Sequence, residues 1–262
     1  MKKEPIILAF CGKGGVGKTS LSAICIRILN ETYPDKKILA IDADPAIGLA
    51  TALGVKASST VDDIRKLFIE NVENGNTANA MSLLAEAKYQ IYDALVELNN
   101  VSFLAIGRPE GAGCYCKVNA YLKEVIALLA SNYDYVVIDG EAGIEQVNRR
   151  VMEKVTHLIL VSDASKKGLE VAKTIQKVSS ELVISDKVGL ILNRIINKDI
   201  LNSLDLNGLN LLSAILNDEQ MILSDVKGDS IYMLDKSALV MKGMQDALRK
   251  LDIIKWGKKW KI

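Results

Sequence analysis

The run Cys11-Gly12-Lys13-Gly14-Gly15-Val16-Gly17-Lys18-Thr19-Ser20 limits what this chain can fold into more than any other feature. It holds the pattern G-x-x-x-x-G-K-[ST] from Gly12 to Thr19, with an apolar run (Ile6–Phe10) before it and a helical pattern (Lys18–Asn30) after it. Strand, glycine loop and helix in that order make a phosphate cradle. The glycines Gly12, Gly14, Gly15 and Gly17 let the backbone N–H groups of the loop, Val16 and Ser20 included, turn towards phosphate oxygens, and the helix adds the positive end of its dipole. Lys18 then reaches the β- and γ-phosphates, and the Thr19 hydroxyl is placed to ligate Mg²⁺.

The remainder of the chain fits the fold that such a loop requires. Lys37–Ile41, Val101–Ile106, Tyr133–Ile138, His157–Val161 and Lys187–Leu192 are short continuous apolar runs, and a further one lies within Leu209–Leu216. Apolar character without alternation marks strands buried on both faces, as in a parallel sheet. Between them, Ser82–Leu98, Asn119–Ala130 and Gly168–Ser180 have helical spacing. The expected fold is α/β: a single doubly wound, mostly parallel sheet with helices on both faces, forming one domain over residues 1–262. The polar stretch Asn71–Ala80 reads as a surface loop inside it.

Composition narrows the function classes. Lys and Arg number 33 against 32 Asp and Glu, a net charge of +1, so no basic excess matches a nucleic-acid backbone. Apolar residues at 49% exclude general disorder. No stretch approaches the ~20 apolar residues of a membrane span. Met1–Phe10 leads into the glycine loop without a cleavage site, and four cysteines are too few for a disulfide framework, so the cytoplasm is the expected compartment.

Lys13, directly after the first glycine, turns the loop into GKGGVGKT, which resembles the deviant phosphate loop of the MinD, ParA and nitrogenase iron-protein group of ATPases. The resemblance implies a homodimer in which Lys13 reaches across to the partner's nucleotide. Asp42-Ala43-Asp44-Pro45, after the second apolar run, is similar to that group's switch I element, which makes Asp44 the residue that positions the attacking water and Asp42 a neighbour of the magnesium shell. Asp139-Gly140-Glu141-Ala142-Gly143 is similar to its Walker B aspartate and switch II glycine, assigning Asp139 and Gly143 to the nucleotide site. Leu192-Asn193-Arg194 resembles the segment whose asparagine contacts adenine, so ATP is the expected nucleotide, with Asn193 and Arg194 beside its base. The stretch Ile215-Leu216-Asn217-Asp218 lacks the proline that many relatives carry near adenine.

Gly111-Ala112-Gly113-Cys114-Tyr115-Cys116 is the feature that points to a purpose. In an extended segment residues i and i+2 face the same way, so Cys114 and Cys116 offer two thiolates to one ligand. That is half of a tetrahedral S₄ site, and a twofold axis supplies the other half. Cys11 and Cys25 read as small buried side chains beside the nucleotide core, and His157, the one histidine, as a packing residue. With GKGGVGKT, D-x-D-P, G-x-G-C-Y-C, D-Y-V-V-I-D and Ala142-Gly143-Ile144-Glu145 together, the chain resembles the CooC-type accessory ATPases of carbon monoxide dehydrogenase. That resemblance implies nickel delivery to a nickel–iron–sulfur centre, with carbon monoxide dehydrogenase or acetyl-CoA synthase as the client and Ni²⁺ or Zn²⁺ held between two subunits. Tetrahedral thiolate chemistry alone favours Zn²⁺ or Fe–S over Ni²⁺.

Two other functions share the loop. One is an ATP-driven electron donor like the nitrogenase iron proteins, although Ile144–Met152 has no second cluster cysteine. The other is a MinD-like positioning ATPase held at a membrane by a C-terminal helix. The tail Arg249–Ile262 has six basic residues, one acid, Trp256 and Trp260. The apolar positions Leu248, Leu251, Ile253, Ile254 and Trp256 do not form one stripe, so a packed or solvated helix is expected rather than membrane contact.

Overall fold

The structure is a computed structural model that describes residues 4–73, 80–108, 116–141, 143–144, 147–148, 151–182 and 185–255, with backbone alone at 68, 71–73, 80–85, 116 and 117. Eight strands form one sheet: β1 (Ile6–Gly12), β2 (Ile38–Asp42), β3 (Val96–Leu98), β4 (Val101–Ala105), β5 (Tyr135–Asp139), β6 (Val155–Ser162), β7 (Ser185–Ile195) and β8 (Leu211–Leu216). Their order is β3-β4-β2-β5-β1-β6-β7-β8, and every pairing is parallel except the edge pair β3–β4. The doubly wound, mostly parallel sheet expected from the apolar runs is thus the observed fold.

Eight helices are named here: α1 (Lys18–Thr32), α2 (Gly48–Leu53), α3 (Val61–Glu73), α4 (Ala80–Asp93), α5 (Cys116–Ala130), α6 (Lys166–Glu181), α7 (Glu219–Lys227) and α8 (Leu239–Lys250). Alternate strand residues bury against opposite layers. Leu8, Phe10, Ala40 and Val137 pack with α1, α2 and α8, whereas Ala9, Ile41, Ile138 and Leu160 pack with α5, α6 and the Ile91 end of α4. This period of two also settles where Asp42 and Asp139 point. They continue the Ile38–Ala40 and Tyr135–Val137 series, so both face α1. β1 lies in the middle of the order, and its carboxyl end opens where neighbouring connections leave in opposite directions, the place at which open α/β sheets bind ligands.

Three sequence expectations change. The helix expected over Ser82–Leu98 stops at Asp93, and Val96–Leu98 turns back as the antiparallel strand β3 against Val101–Phe103. The loop expected at Asn71–Ala80 is narrower, because α3 runs to Glu73 and α4 starts at Ala80; 74–79 lie outside the described residues. The C-terminal helix ends at Lys250, and Leu248, Leu251, Ile253 and Ile254 are all buried in the α1 layer. Those apolar residues scatter on a helical wheel because only the first of them is in the helix. Trp256 and Trp260 lie outside the described residues. Among the described residues no helix is long and apolar enough to cross a membrane.

Candidate nucleotide site

The phosphate loop joins β1 to α1, and its glycines are required by geometry at two points. At Gly12 (φ 150°) a Cβ would sit 2.0 Å from the Val161 carbonyl oxygen, so β6 leaves no room for a side chain. At Gly17 (φ 92°), the N-cap of α1, a Cβ would meet the Asn193 amide at 2.6 Å. Val16 is buried, and Gly14 and Gly15 are exposed at the loop tip. The Lys18 side chain is almost wholly buried and folds under the loop, its Nζ 3.4 Å from the Lys13 carbonyl oxygen. That is the posture in which the ammonium faces whatever the loop encloses.

Backbone hydrogen bonds tie the neighbouring strand ends into one rim. Gly140 N–H donates to Phe10 C=O, Ala43 N–H to Asp139 C=O, and Ile106 N–H to Asp42 C=O, at 2.8–2.9 Å. Asp42 and Asp139 are register partners on β2 and β5, both fully buried. Asp42 accepts from the backbone N–H groups of Asp44 (3.1 Å) and Leu49 (2.8 Å), and so holds the Asp44–Gly48 loop in shape. Burial, the Asp139 charge beside it and that of Asp44 outweigh those two bonds and push its carboxyl up to about 7. Burial likewise pushes Asp139 up to about 6, against the Thr19 and Ser22 hydroxyls and the Lys18 ammonium, which hold it down. The Ser22 hydroxyl lies 3.0 Å from the Lys18 carbonyl and 3.1 Å from Asp139 Oδ1, and its single proton serves one at a time. Asp139 Oδ2 is buried with no full hydrogen bond, although the Thr19 hydroxyl is near enough to affect the carboxyl.

An orphaned, buried carboxylate oxygen beside a hydroxyl and a second carboxylate is a set of hard oxygens suited to Mg²⁺. The α2 terminus closes this side, with a Cβ on Gly48 falling 3.3 Å from Thr19 Cγ2. Asp44 is half-buried, and its Oδ1 accepts from Ala46 N–H at 2.9 Å, which fixes the carboxylate within the turn. Gly143 is described, four residues beyond Asp139, whereas Ala142 and Glu145 lie outside the described residues.

Lys13 reaches sideways rather than into the loop. Its Nζ pairs with Asp163 Oδ2 at 3.0 Å, both side chains being about one-third exposed (34% each). Partial burial works against the Asp163 charge, but bonds from the Ser165 hydroxyl, Lys13 and the Ser165 backbone keep the carboxyl below its usual range. Asp163 was not among the sequence candidates. Like Asp42 and Asp139, it follows an apolar strand run, and reading the β6 end by the same rule would have found it.

On the other side of the loop, Asn193 Nδ2 donates to Val16 C=O (2.9 Å) and an Arg194 N–H to Gly15 C=O (2.9 Å). A cavity opens between Gly17, Ser20, these two residues, Leu216–Asp218 at the end of β8, and the inner face of α7. The segment Leu216-Asn217-Asp218 therefore stands beside the loop even without a proline. Asp218 is not free to read a base. Its Oδ1 accepts from Gln220 and Met221 N–H, and its Oδ2 from Val240 N–H, so it caps α7 and ties α8 to the same point. Met221 and Asp225 also line the cavity and were missed in the sequence, since nothing local marks a short helix beginning 26 residues beyond Asn193 as part of the site.

The two remaining predicted residues are only partly placed. Cys116 opens α5 by its backbone, but its side chain and all of Cys114 lie outside the described residues. Cys11 and Cys25 are buried, and burial pushes the Cys25 thiol far up, as expected for an inert packing residue. His157 is buried in β6, with Nδ1 2.8 Å from the Thr156 hydroxyl. Among the described residues no group of three or more His, Cys, Asp and Glu side chains could hold a metal ion.

The sheet order and this loop define the class: a P-loop ATPase with the MinD/ParA-like fold. A family model described as an AAA domain matches residues 4–188, and the chain belongs to that family. An uncharacterized ATP-binding protein of Methanocaldococcus jannaschii is 36% identical over 250 residues, covering 94% of this chain and 98% of its own. The carbon monoxide dehydrogenase accessory protein CooC of Rhodospirillum rubrum is 29% identical over 218 residues, covering 75% and 82%. Among solved structures, the septum site-determining protein MinD of Pyrococcus horikoshii complexed with Mg-ADP superposes with a TM-score of 0.66 at 22% identity, over 95% and 96% of the two chains.

Proposed function

We propose that this ATP-binding protein is a cytoplasmic, ATP-dependent metallochaperone that works as a homodimer and delivers nickel to the nickel–iron–sulfur centre of carbon monoxide dehydrogenase or acetyl-CoA synthase. One observation carries the reading. In the sequence the C-x-C pair falls between β4 and α5, and Ile106, directly after β4, donates its N–H to Asp42 C=O in the nucleotide site. A thiolate pair eight and ten residues along the chain from that bond can register the state of the nucleotide. The sequence similarity to a carbon monoxide dehydrogenase accessory protein supports the same reading.

Each residue has a physical task in this scheme. Lys18 and the loop amides of Gly12–Ser20 hold the phosphates. Thr19, Asp139 and Asp42 would hold Mg²⁺, which when bound neutralises charge between the β- and γ-phosphates. Asp44 orients the attacking water. Lys13 leaves Asp163 and reaches the partner's nucleotide, so that ATP favours the dimer and hydrolysis releases it. Gly143 responds to the γ-phosphate, and Asn193 and Arg194 flank adenine. Cys114 and Cys116 of both chains close a tetrahedral site around one Ni²⁺ or Zn²⁺.

Metal analysis combined with native mass measurement tests this, on the wild type and on a Cys114→Ala/Cys116→Ala double variant. The expected result is one Zn²⁺ or Ni²⁺ per dimer, lost in the variant while ATP binding persists. A metal-bound monomer, or tight binding without these cysteines, would sink the site. Four irons per dimer with a brown chromophore after anaerobic reconstitution would replace it with an electron-transfer protein.

A further inference from the structure

The face opposite the phosphate loop holds a second, larger cavity of about 580 Å³. It lies at the amino ends of β1, β6 and β7, against the second half of α5. Ile7, Ala127, Met152 and Val155 give it an apolar floor. Four carboxylates border it, those of Glu4, Glu124, Glu153 and Asp186, against the two ammonium groups of Lys123 and Lys154. Glu153 pairs with Lys123 at 3.0 Å, whereas Glu4, Glu124 and Asp186 take no ion pair from the described residues. Such a surface suits a segment that is apolar and basic at once.

A segment of that kind starts beside it. α8 descends from Asp218, next to the phosphate loop, to Lys250, whose Nζ donates to Leu211 C=O at the amino end of β8. Beyond it the chain follows the lower edge of the sheet. The Tyr33 hydroxyl donates to Ile253 C=O at 3.0 Å, and the Tyr33 ring stacks on Tyr135, with centroids 5.7 Å apart. Tyr135 is the register partner of Ile6, which stands between the cavity residues Pro5 and Ile7. Ile253 belongs to the α1 layer and the cavity floor to the α5 layer, so only the amino ends of the strands separate them. The next seven residues, Trp256–Ile262, lie outside the described residues and carry three lysines, two tryptophans and no acid. Extended, they reach up to about 23 Å, against about 10 Å between packed layers.

We propose that Trp256–Ile262 passes under the strand ends and docks in this cavity of its own chain, with the indoles on the apolar floor and the lysines against Glu4, Glu124 and Asp186. The tail is then a strap that ties the α1 layer to α5, the helix that Cys116 opens, and its tryptophans are withdrawn from any lipid surface. The inference is independent of the nucleotide and metal readings.

Trp256 and Trp260 are the chain's only tryptophans, so tryptophan emission and its quenching by acrylamide report on the tail alone. In the wild type both indoles should be shielded, and to the same degree at every protein concentration. Lys258→Glu/Lys259→Glu in the tail, and Glu124→Lys/Asp186→Lys at exposed positions of the rim, should each shift emission to the red. Each should also raise the quenchable fraction about fivefold, the scale of one or two exposed ion pairs. Combining the four substitutions should bring the shielding back, which a general loosening of the fold would not do. Ala127→Arg, which fills the floor, should release the tail. Wild-type indoles that are fully quenchable, or that become shielded only on phosphatidylglycerol vesicles, would overturn the docking, and the second result would make the tail a membrane segment. Shielding that survives both the rim and the floor variants would overturn it as well, because the indoles would then pack elsewhere. Shielding that grows with protein concentration would assign them to a second copy instead.

Discussion

The Lys13–Asp163 pair places one residue under two competing demands. To act on a partner's nucleotide, Lys13 must leave a carboxylate 3.0 Å away in its own chain. An ion pair this exposed is worth less than about 1 kcal/mol, so releasing it should favour ATP-driven dimerisation by at most about fivefold. Asp163→Asn is the suitable variant, because the amide oxygen still accepts from the Ser165 backbone (3.1 Å) and keeps the turn before α6. Sedimentation with ATP should show Asp163→Asn dimerising at lower concentration than wild type and Lys13→Ala not dimerising, though still binding ATP. Lys18→Ala should lose ATP binding itself. A dimerising Lys13→Ala would refute the role in trans. The buried carboxylates give a second expectation. Asp42 and Asp139 titrate near 7 and 6 when folded, against 3.8 ordinarily. Between about pH 4 and 7 the folded protein therefore holds protons that the unfolded chain has released, so their contribution to stability falls as pH rises through that window. Asp139→Asn keeps the Ser22 contact and removes one charge. Its melting temperature relative to wild type, without nucleotide or Mg²⁺, should rise from pH 5 to pH 8, and a constant difference would show that the pair is not coupled to folding. The motif residues here were legible because loop and strand ends are local patterns. Asp163 also stands at a strand end, but its pairing with Lys13 was not legible, since that partner lies 150 positions earlier.

Elements repeat the contrast between local and distant information. The buried parallel strands were readable from continuous apolar runs, with ends differing by at most three residues. The short edge strand β3 was hidden, because Val96–Leu98 continues the apolar spacing of the helix before it, and only pairing with Val101–Phe103 makes it a strand. The six-residue α2 is shorter than any stretch over which helical periodicity can be judged, and its N-cap, Ile47, has a left-handed φ of 51° and no side-chain cap. At the far edge, Asp218 governs two helices at once, one of them 22 residues onward. Asp218→Ala leaves three backbone N–H groups without their acceptor, at about 2–3 kcal/mol for the two caps together. For a chain of this size that is a melting-temperature drop of about 5–10 °C. Asp218→Asn, retaining one carbonyl oxygen, should lose less than half as much. Thermal unfolding checks both, and an unaffected Asp218→Ala would mean that α7 and α8 are held by packing alone.

At the scale of the whole molecule, two ligands are proposed to act on one equilibrium, monomer against dimer. ATP would favour the dimer through Lys13 and a metal ion through Cys114 and Cys116, with the Ile106–Asp42 bond joining the two regions within each chain. If both ligands favour the same dimer, linkage requires that each raise the affinity for the other by the same factor. A coupling of 1–3 kcal/mol, usual for such systems, corresponds to about 5–150-fold. Mg-ATP affinity should therefore rise by at least about fivefold on saturation with Zn²⁺ or Ni²⁺, and metal affinity by an equal factor on saturation with a non-hydrolysable ATP analogue. The Cys114→Ala/Cys116→Ala variant should retain the ATP affinity of the metal-free protein and lose its response to metal. Lys13→Ala should retain metal-driven dimerisation and lose its response to ATP. Calorimetric titrations in both orders measure the two factors independently. Unequal factors would mean that a third equilibrium contributes, and factors of one would mean that nucleotide and metal occupy the same molecule without communicating, which removes ATP from metal delivery.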